Sequence, residues 1–274
     1  MIGSQLKTVY PRWWEVASNG AIRAAIPSGI ALAALCGVVF MQQSRLDRAA
    51  LNPLSPQQAD QQEALQIELM KRSPTLGFDN AIANWAFIKF IGYFGDEELR
   101  DQTGYELNDD YFDLLTQRDP RFMEAYLFIS SAVSFMQAKP ELGVKLMQRG
   151  TEVLSPEINP RSYLLWRYKG IDQLLLVNDI PGAIKSHEIA AEWVKGTPDE
   201  KFASIYAQTA EFLKSNPDNT DVRFWAWSEV YYSTVDKNVK ARAEAELLKL
   251  GANKRVDEDG NIYFALPVSN NKQR

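Results

Sequence analysis

One histidine, His187, and one cysteine, Cys36, are the whole supply of the two most versatile metal-ligating side chains in this 274-residue chain. A lone thiol excludes an internal disulfide, and a single imidazole leaves a Cys/His zinc centre without its other ligands. The chain also lacks a G-x-x-x-x-G-K-[ST] loop, a G-x-S-x-G elbow and a strand running into G-x-G-x-x-G. The usual signatures of nucleotide binding and acyl transfer are therefore missing. Adjacent acids such as Asp109/Asp110 and Glu97/Glu98 diverge on a helix, so a glycosidase-like carboxylate pair would need distant residues to converge in three dimensions. Dense positive charge is absent too: the net charge is −5, and residues 1–50 carry five Lys/Arg against two Asp/Glu, leaving −8 on the rest. That balance argues against nucleic acid as a partner. The expectation is a protein without catalytic residues, cofactor or metal.

What is present begins with apolar mass, 46% of residues, enough for a sizeable core. It is concentrated first in "AAIPSGIALAALCGVVFM", eighteen uncharged residues from Ala24 to Met41. This is about the shortest run that spans a bilayer as a helix, and a single transmembrane helix is expected over residues 23–41. A cleaved signal peptide is the competing reading, because "ALA" at Ala31–Ala33 resembles a cleavage site; the apolar run, however, continues for eight residues beyond it. Upstream, Leu6, Val9, Tyr10, Trp13, Trp14 and Ala17 recur at helical spacing. Residues 1–22 therefore read as an interfacial segment, with Trp13, Trp14 and Arg23 as membrane anchors. Lys7, Arg12 and Arg23 precede the span and Arg45 and Arg48 follow it. The positive-inside rule then favours a cytoplasmic or stromal N-terminus and a lumenal or periplasmic C-terminal domain.

A polar, proline-punctuated linker over residues 42–54 leads to a helix start near Ser55. Helical periodicity then recurs over Pro56–Lys71, Phe78–Phe94, Asp109–Gln117, Met123–Gln137, Glu141–Leu154, Arg161–Val177, Pro181–Lys195, Glu200–Ser215, Asp221–Tyr232 and Asn238–Leu250. Residues 95–107 read as a loop. In the tail, residues 251–274, only "NIYFALP" has strand composition, after a turn signal "DEDGN" that lacks the closing acidic ligand of a calcium loop. The fold class expected is all-α.

Within residues 55–250 an offset of forty aligns "DPRFMEAY" with "NPRSYLLW". Pro120 and Arg121 fall on Pro160 and Arg161, Tyr126 on Trp166, Gly143 on Ala183, Met147 on His187 and Gly150 on Ala190. Aromatics early in a first helix and small residues in a second are what a stacked helix hairpin requires. His187 accordingly reads as a packing group. On these residues the chain resembles the tetratricopeptide repeats, with "AYLFISSAVSFMQAKPELGVKLMQRGTEVLSP" and "LWRYKGIDQLLLVNDIPGAIKSHEIAAEWVKGTP" as two degenerate units. The period is nearer forty than thirty-four. The string "LGFDNAIANWAFIKFIGYFGD" also resembles cyanobacterial membrane-associated repeat proteins.

The resemblance implies an α-solenoid that offers a groove built from its first helices to a protein partner. Asn84, Lys89, Arg121, Glu124, Ser131, Arg161, Arg167 and Lys169 are the candidate partner-binding residues. The function expected is that of a membrane-tethered scaffold, assembly factor or accessory subunit of a membrane protein complex. An integral structural subunit held by its transmembrane helix is the first alternative, and an enzyme of unrecognised type the second.

Overall fold

A computed structural model describes residues 29–40, 54–216 and 218–267, in two compact units, Met1–Ser55 and Pro56–Arg274. In the first unit residues 29–40 form a helix, α1, with Ile30, Leu32, Leu35, Val38, Val39 and Phe40 all exposed. Among the described residues no helix is long and apolar enough to cross a membrane. Residues 23–28 and 41 of the expected span, the interfacial segment 1–22 with Trp13 and Trp14, Arg23, and linker residues 42–53 lie outside the described residues.

The second unit is mainly helical: α2 (Pro56–Arg72), α3 (Asp79–Gly95), α4 (Glu97–Thr103), α5 (Asn108–Arg118), α6 (Met123–Ile129), α7 (Pro140–Thr151), α8 (Tyr163–Asp172), α9 (Ile180–Trp193), α10 (Ala203–Ser215), α11 (Thr220–Ser233) and α12 (Lys237–Lys249). The starts of α4, α9 and α12 carry an aspartate side-chain cap. Asp179 accepts the Gly182 N–H at 3.0 Å, with Pro181 beside it in the first turn of α9. Asp236 likewise accepts from the Asn238 and Val239 N–H groups at 2.7 and 3.1 Å at the head of α12. The stretch expected as a loop over residues 95–107 contains α4. Asp96 caps it by accepting the Leu99 N–H, acids fill its first turn, and Gly104 ends it at a φ of 75°. Those cap signals are local and short, and no apolar periodicity advertises a seven-residue helix.

The forty-residue register is visible in the backbone. α6 runs on into a π-helical turn, Ser130–Phe135, and α8 into another, Gln173–Val177. Each is closed by an equivalent bond, the Lys139 N–H donating to the Val133 carbonyl at 3.1 Å and the Asp179 N–H to the Gln173 carbonyl at 2.8 Å. The turning residues match as well, Ala138 at φ 50° and Asn178 at φ 66°. At the hairpin entrances the Arg121 N–H donates to Asp119 Oδ1 at 3.0 Å and the Arg161 N–H to Asn159 Oδ1 at 2.9 Å. Burial repeats in phase: Gly143, Leu146, Met147 and Gly150 face inward in α7, as Ala183, Ser186, His187 and Ala190 do in α9.

Small residues at those positions let helices approach closely. A Cβ on Gly150 would lie 2.6 Å from the Tyr126 ring and 2.7 Å from Leu165, and one on Gly170 would lie 2.6 Å from His187 Nδ1. Real side chains cannot come so near, so each glycine fixes how its helix sits on the next.

The C-terminal pair does not continue this stacking. α11 and α12 lay Trp227, Val230, Tyr231 and Leu247 against Ala138, Leu176, Phe135 and Leu175, at the tips of the two hairpins. The π turns widen those tips and present their apolar side chains, which gives the pair a surface to bury. The segment beyond residue 250 extends this second core. β1 (Asn253–Val256) and β2 (Ile262–Ala265) form an antiparallel hairpin, and Phe264 meets Tyr231 edge to face at 4.9 Å between centroids. The strand expected in "NIYFALP" is present, with a partner, "NKRV", too short and polar to be read from periodicity. The "DEDGN" turn consumes the Asp257 carboxylate, which accepts from the Asp259 and Asn261 N–H groups.

Substituting Gly150→Ala should lower the unfolding free energy of the full chain by about 1–3 kcal/mol in chemical denaturation. Gly92→Ala in α3, where a Cβ meets nothing within 4 Å, should leave it unchanged or raise it by up to about 1 kcal/mol. Equal losses at the two positions would contradict the close approach at Gly150.

Candidate interaction surfaces

The N-terminal end of the second unit is held by a polar network. Arg100, 1% exposed, pairs with both oxygens of Asp60 (Nη2–Oδ1 2.7 Å, Nη1–Oδ2 3.3 Å) and donates to the Gly104 carbonyl at 2.7 Å. Its guanidinium lies 3.8 Å from the centroid of the Tyr93 ring. Burial pushes the Tyr93 phenol up to about 12, so it stays neutral while accepting the Leu107 N–H at 3.2 Å. Beside it Glu63 accepts from Lys89 Nζ at 2.9 Å and from the Tyr111 hydroxyl. Burial and the Glu63 carboxylate both raise the Tyr111 phenol above its ordinary range. These side chains tie α2 to α3, α4 and α5 and leave a groove of about 280 Å³ between α2 and α3, lined in part by Asp60, Glu63, Ile88 and Lys89. Of the charges facing it, Asp60 is paired with Arg100 and Glu63 with Lys89, and breaking such a pair costs more than the pair contributes.

Beside that groove α3 has an open face, with Ile88 and Gly92 at the groove's edge. Asn80, Ala81, Asn84, Trp85, Ile88, Ile91, Gly92 and Gly95 are exposed along it, and none is charged. Trp85 is 58% and Ile88 62% exposed. Between residues 92 and 201 only one large apolar side chain, Ile158, is exposed to a comparable degree. A second apolar surface lies on α10 and α11, at Ile205, Phe212, Val222 and Trp225. Phe212 and Val222 border a cleft of about 680 Å³ with Leu174, Leu213, Leu250 and Leu266.

No known protein family, curated protein or solved structure matches the chain.

The eight candidate partner-binding residues are dispersed over α3, the hairpin entrances and the hairpin helices, and no hydrogen bond or ion pair joins any two of them. Asn84 stands on the open face of α3, while Lys89 is engaged by Glu63. Arg121, Glu124 and Arg161 are exposed near the hairpin entrances, and the Ser131 hydroxyl donates to the Phe128 carbonyl at 3.0 Å. Arg167 lies over the Tyr168 ring at 5.1 Å. Lys169 is 6% exposed and inside the array: its ammonium donates to Gln148 Oε1 and lies 4.9 Å from the Trp166 ring. Burial and the nearby Lys185 hold it below the usual lysine range. Counting charged residues along the first helix gave Lys169 a solvent face that the packing of α8 on α7 removes.

The group that sequence reasoning missed is Asp172. It is 0% exposed, and its two oxygens accept from Ser130 Oγ at 2.6 Å and Ser134 Oγ at 2.5 Å, joining the second hairpin to the first. Gly143 leaves room for this cluster, since a Cβ there would fall 2.2 Å from Ser134 Oγ. Burial raises the carboxyl to about 6, and no charged neighbour contributes to the shift. The readable signal was the i, i+4 pair of serines in an apolar helix, with one acid forty residues on. His187 is 5% exposed and bonds the Ala183 carbonyl through Nδ1 at 2.8 Å; burial holds it below the ordinary histidine value, so it is neutral and donates. It is an inter-helix packing group, as the register expects.

The two groups set opposite pH dependences. An acid raised to about 6 in the folded chain adds stability that is complete below about pH 4 and is lost as pH rises to about 6. A depressed histidine adds stability that is lost as pH falls below about 6.5. Asp172→Asn should therefore be about 1–3 kcal/mol more stable than the parent chain at pH 7. The advantage should shrink toward zero near pH 4 in paired denaturation curves. A pH-independent difference would show that Asp172 is not the titrating group.

Proposed function

We propose that the chain is a membrane-tethered helical-repeat scaffold, an assembly factor or accessory subunit that holds a protein partner against a membrane protein complex. The repeats are of tetratricopeptide type, extended to a forty-residue period, and form an α-solenoid. The observation that carries this reading is the pair of in-register hairpins, α6–α7 and α8–α9, whose burial, entrance bonds and the backbone bonds that close their π turns coincide at an offset of forty. Arrays built this way present extended surface to other proteins. The uncharged run Ala24–Met41 supplies the tether, placing that surface close to membrane partners so that moderate affinity suffices. The C-terminal domain is assigned to the lumenal or periplasmic side. No catalytic step, cofactor or metal belongs to this reading.

Photocrosslinkers placed at Glu124 and Arg161, exposed at the first and second hairpins, should capture the same protein in intact membranes, whereas one at Lys145 on the exposed face of α7 should not. Capture of no consistent protein, or equal capture from all three, would refute the scaffold. Deleting residues 1–45 should release the chain from alkaline-washed membranes while the added partner still binds. Loss of both would favour an integral subunit held by its apolar helix.

A further inference from the structure

Of the apolar surfaces without a protein partner among the described residues, those of α1 and α3 suit the same solvent. In α1, steps of about 100° per residue distribute Ile30, Leu32, Leu35, Val38, Val39 and Phe40 around the whole circumference, and all are exposed. A single protein face covers one side of such a helix, whereas lipid covers every side. α3 is uncharged along its exposed face for its full 17 residues, about 25 Å. The fold provides no cover for it: α3 packs on α5, and its flank toward α2 is the open groove. The remaining helices of the hairpins differ. α7 exposes Glu141, Lys145 and Gln148, and α9 exposes Lys185, Glu188 and Glu192.

We infer that the exposed face of α3, at Trp85, Ile88 and Ile91, lies in the interfacial layer of the same bilayer that receives the N-terminal apolar segment. The inference rests on the membrane tether and adds a second lipid contact, made by the repeat domain itself. Three features support lipid over another protein. The face centres on a tryptophan, the side chain favoured at the boundary between headgroups and acyl chains. It is flanked by Phe78, 68% exposed, and by uncharged Asn80 and Asn84, whose amides suit the headgroup layer without a charge to desolvate. It also belongs to the second helix after the apolar segment, and the chain between Met41 and Pro56 reaches at most about 50 Å when fully extended. The exposed apolar residues of α10 and α11 have no such proximity in the chain. Lys89 fits the arrangement, since Glu63 neutralises it on the protein side of the helix.

The test uses the full chain in phosphatidylcholine vesicles, with Cys36→Ser as background and an environment-sensitive fluorophore on Ile88→Cys, Lys145→Cys or Phe212→Cys. All three positions are exposed, so each variant folds without rearranging the core. The label at 88 should lose emission to doxyl-labelled phosphatidylcholine and resist aqueous iodide, while labels at 145 and 212 should show the reverse. Iodide quenching at 88 equal to that at 145, in vesicles that keep the chain through an alkaline wash, would overturn the lipid contact and leave the tether standing. Shielding at 88 from both quenchers would also overturn it, because a second copy or another protein would then cover the face. Release of the chain by the alkaline wash would overturn the tether and this contact together.

Discussion

The arrangement of the helical unit depends on helix backbones meeting where side chains are absent or small. At Gly150 the α7 backbone touches Tyr126 and Leu165, and at Gly170 the α8 backbone touches the His187 ring. Gly143 leaves space for the serine that holds Asp172. Each contact is set by excluded volume, which is short-ranged and steep, so the spacing between hairpins has little freedom. The π turns at the ends of α6 and α8 follow the same register and deliver Phe135, Leu175 and Leu176 to the surface that α11 and α12 cover. A change of register in one hairpin would therefore disturb the next hairpin and the C-terminal core.

Polar groups inside this frame fix which surfaces mate. Asp172 selects the two serines of the preceding π-helical end, and Arg100 selects Asp60, the Gly104 carbonyl and the Tyr93 ring. Neither arrangement is an inexpensive source of stability, because a buried ion forfeits its hydration. Their effect is on specificity: a hairpin docked one turn away would leave an acid or a guanidinium buried without partners. The result is a helical unit whose middle hairpins approach closely, with exposed apolar residues on α3 and on α10–α11.

Long periodic elements were legible in the sequence and short ones were not. The ten expected helices each correspond to helical structure, and the offset of forty gave the pairing of Met147 with His187 and Gly150 with Ala190 that burial reproduces. α4 and β1 went unread, because seven and four residues carry too little periodicity to stand out from a loop. The return of α11 and α12 onto the hairpin tips was also hidden, since it depends on π turns that an α-helical period does not reveal. Site residues were less legible than the fold. Lys89 and Lys169 are charged side chains on first helices, yet one is neutralised by Glu63 and the other is enclosed beside Trp166. Charge in a sequence reports solvation only after the neighbouring helix is known.

Native-state hydrogen exchange on the full chain tests the central claim, that α6–α9 form one cooperative block built on the forty-residue register. The account predicts that the slowest amides of α6 and α7 and those of α8 and α9 open together, with a common free energy, and that Gly150→Ala lowers all of them equally. Two separate, well-spaced opening energies, with Gly150→Ala affecting only the first hairpin, would contradict it.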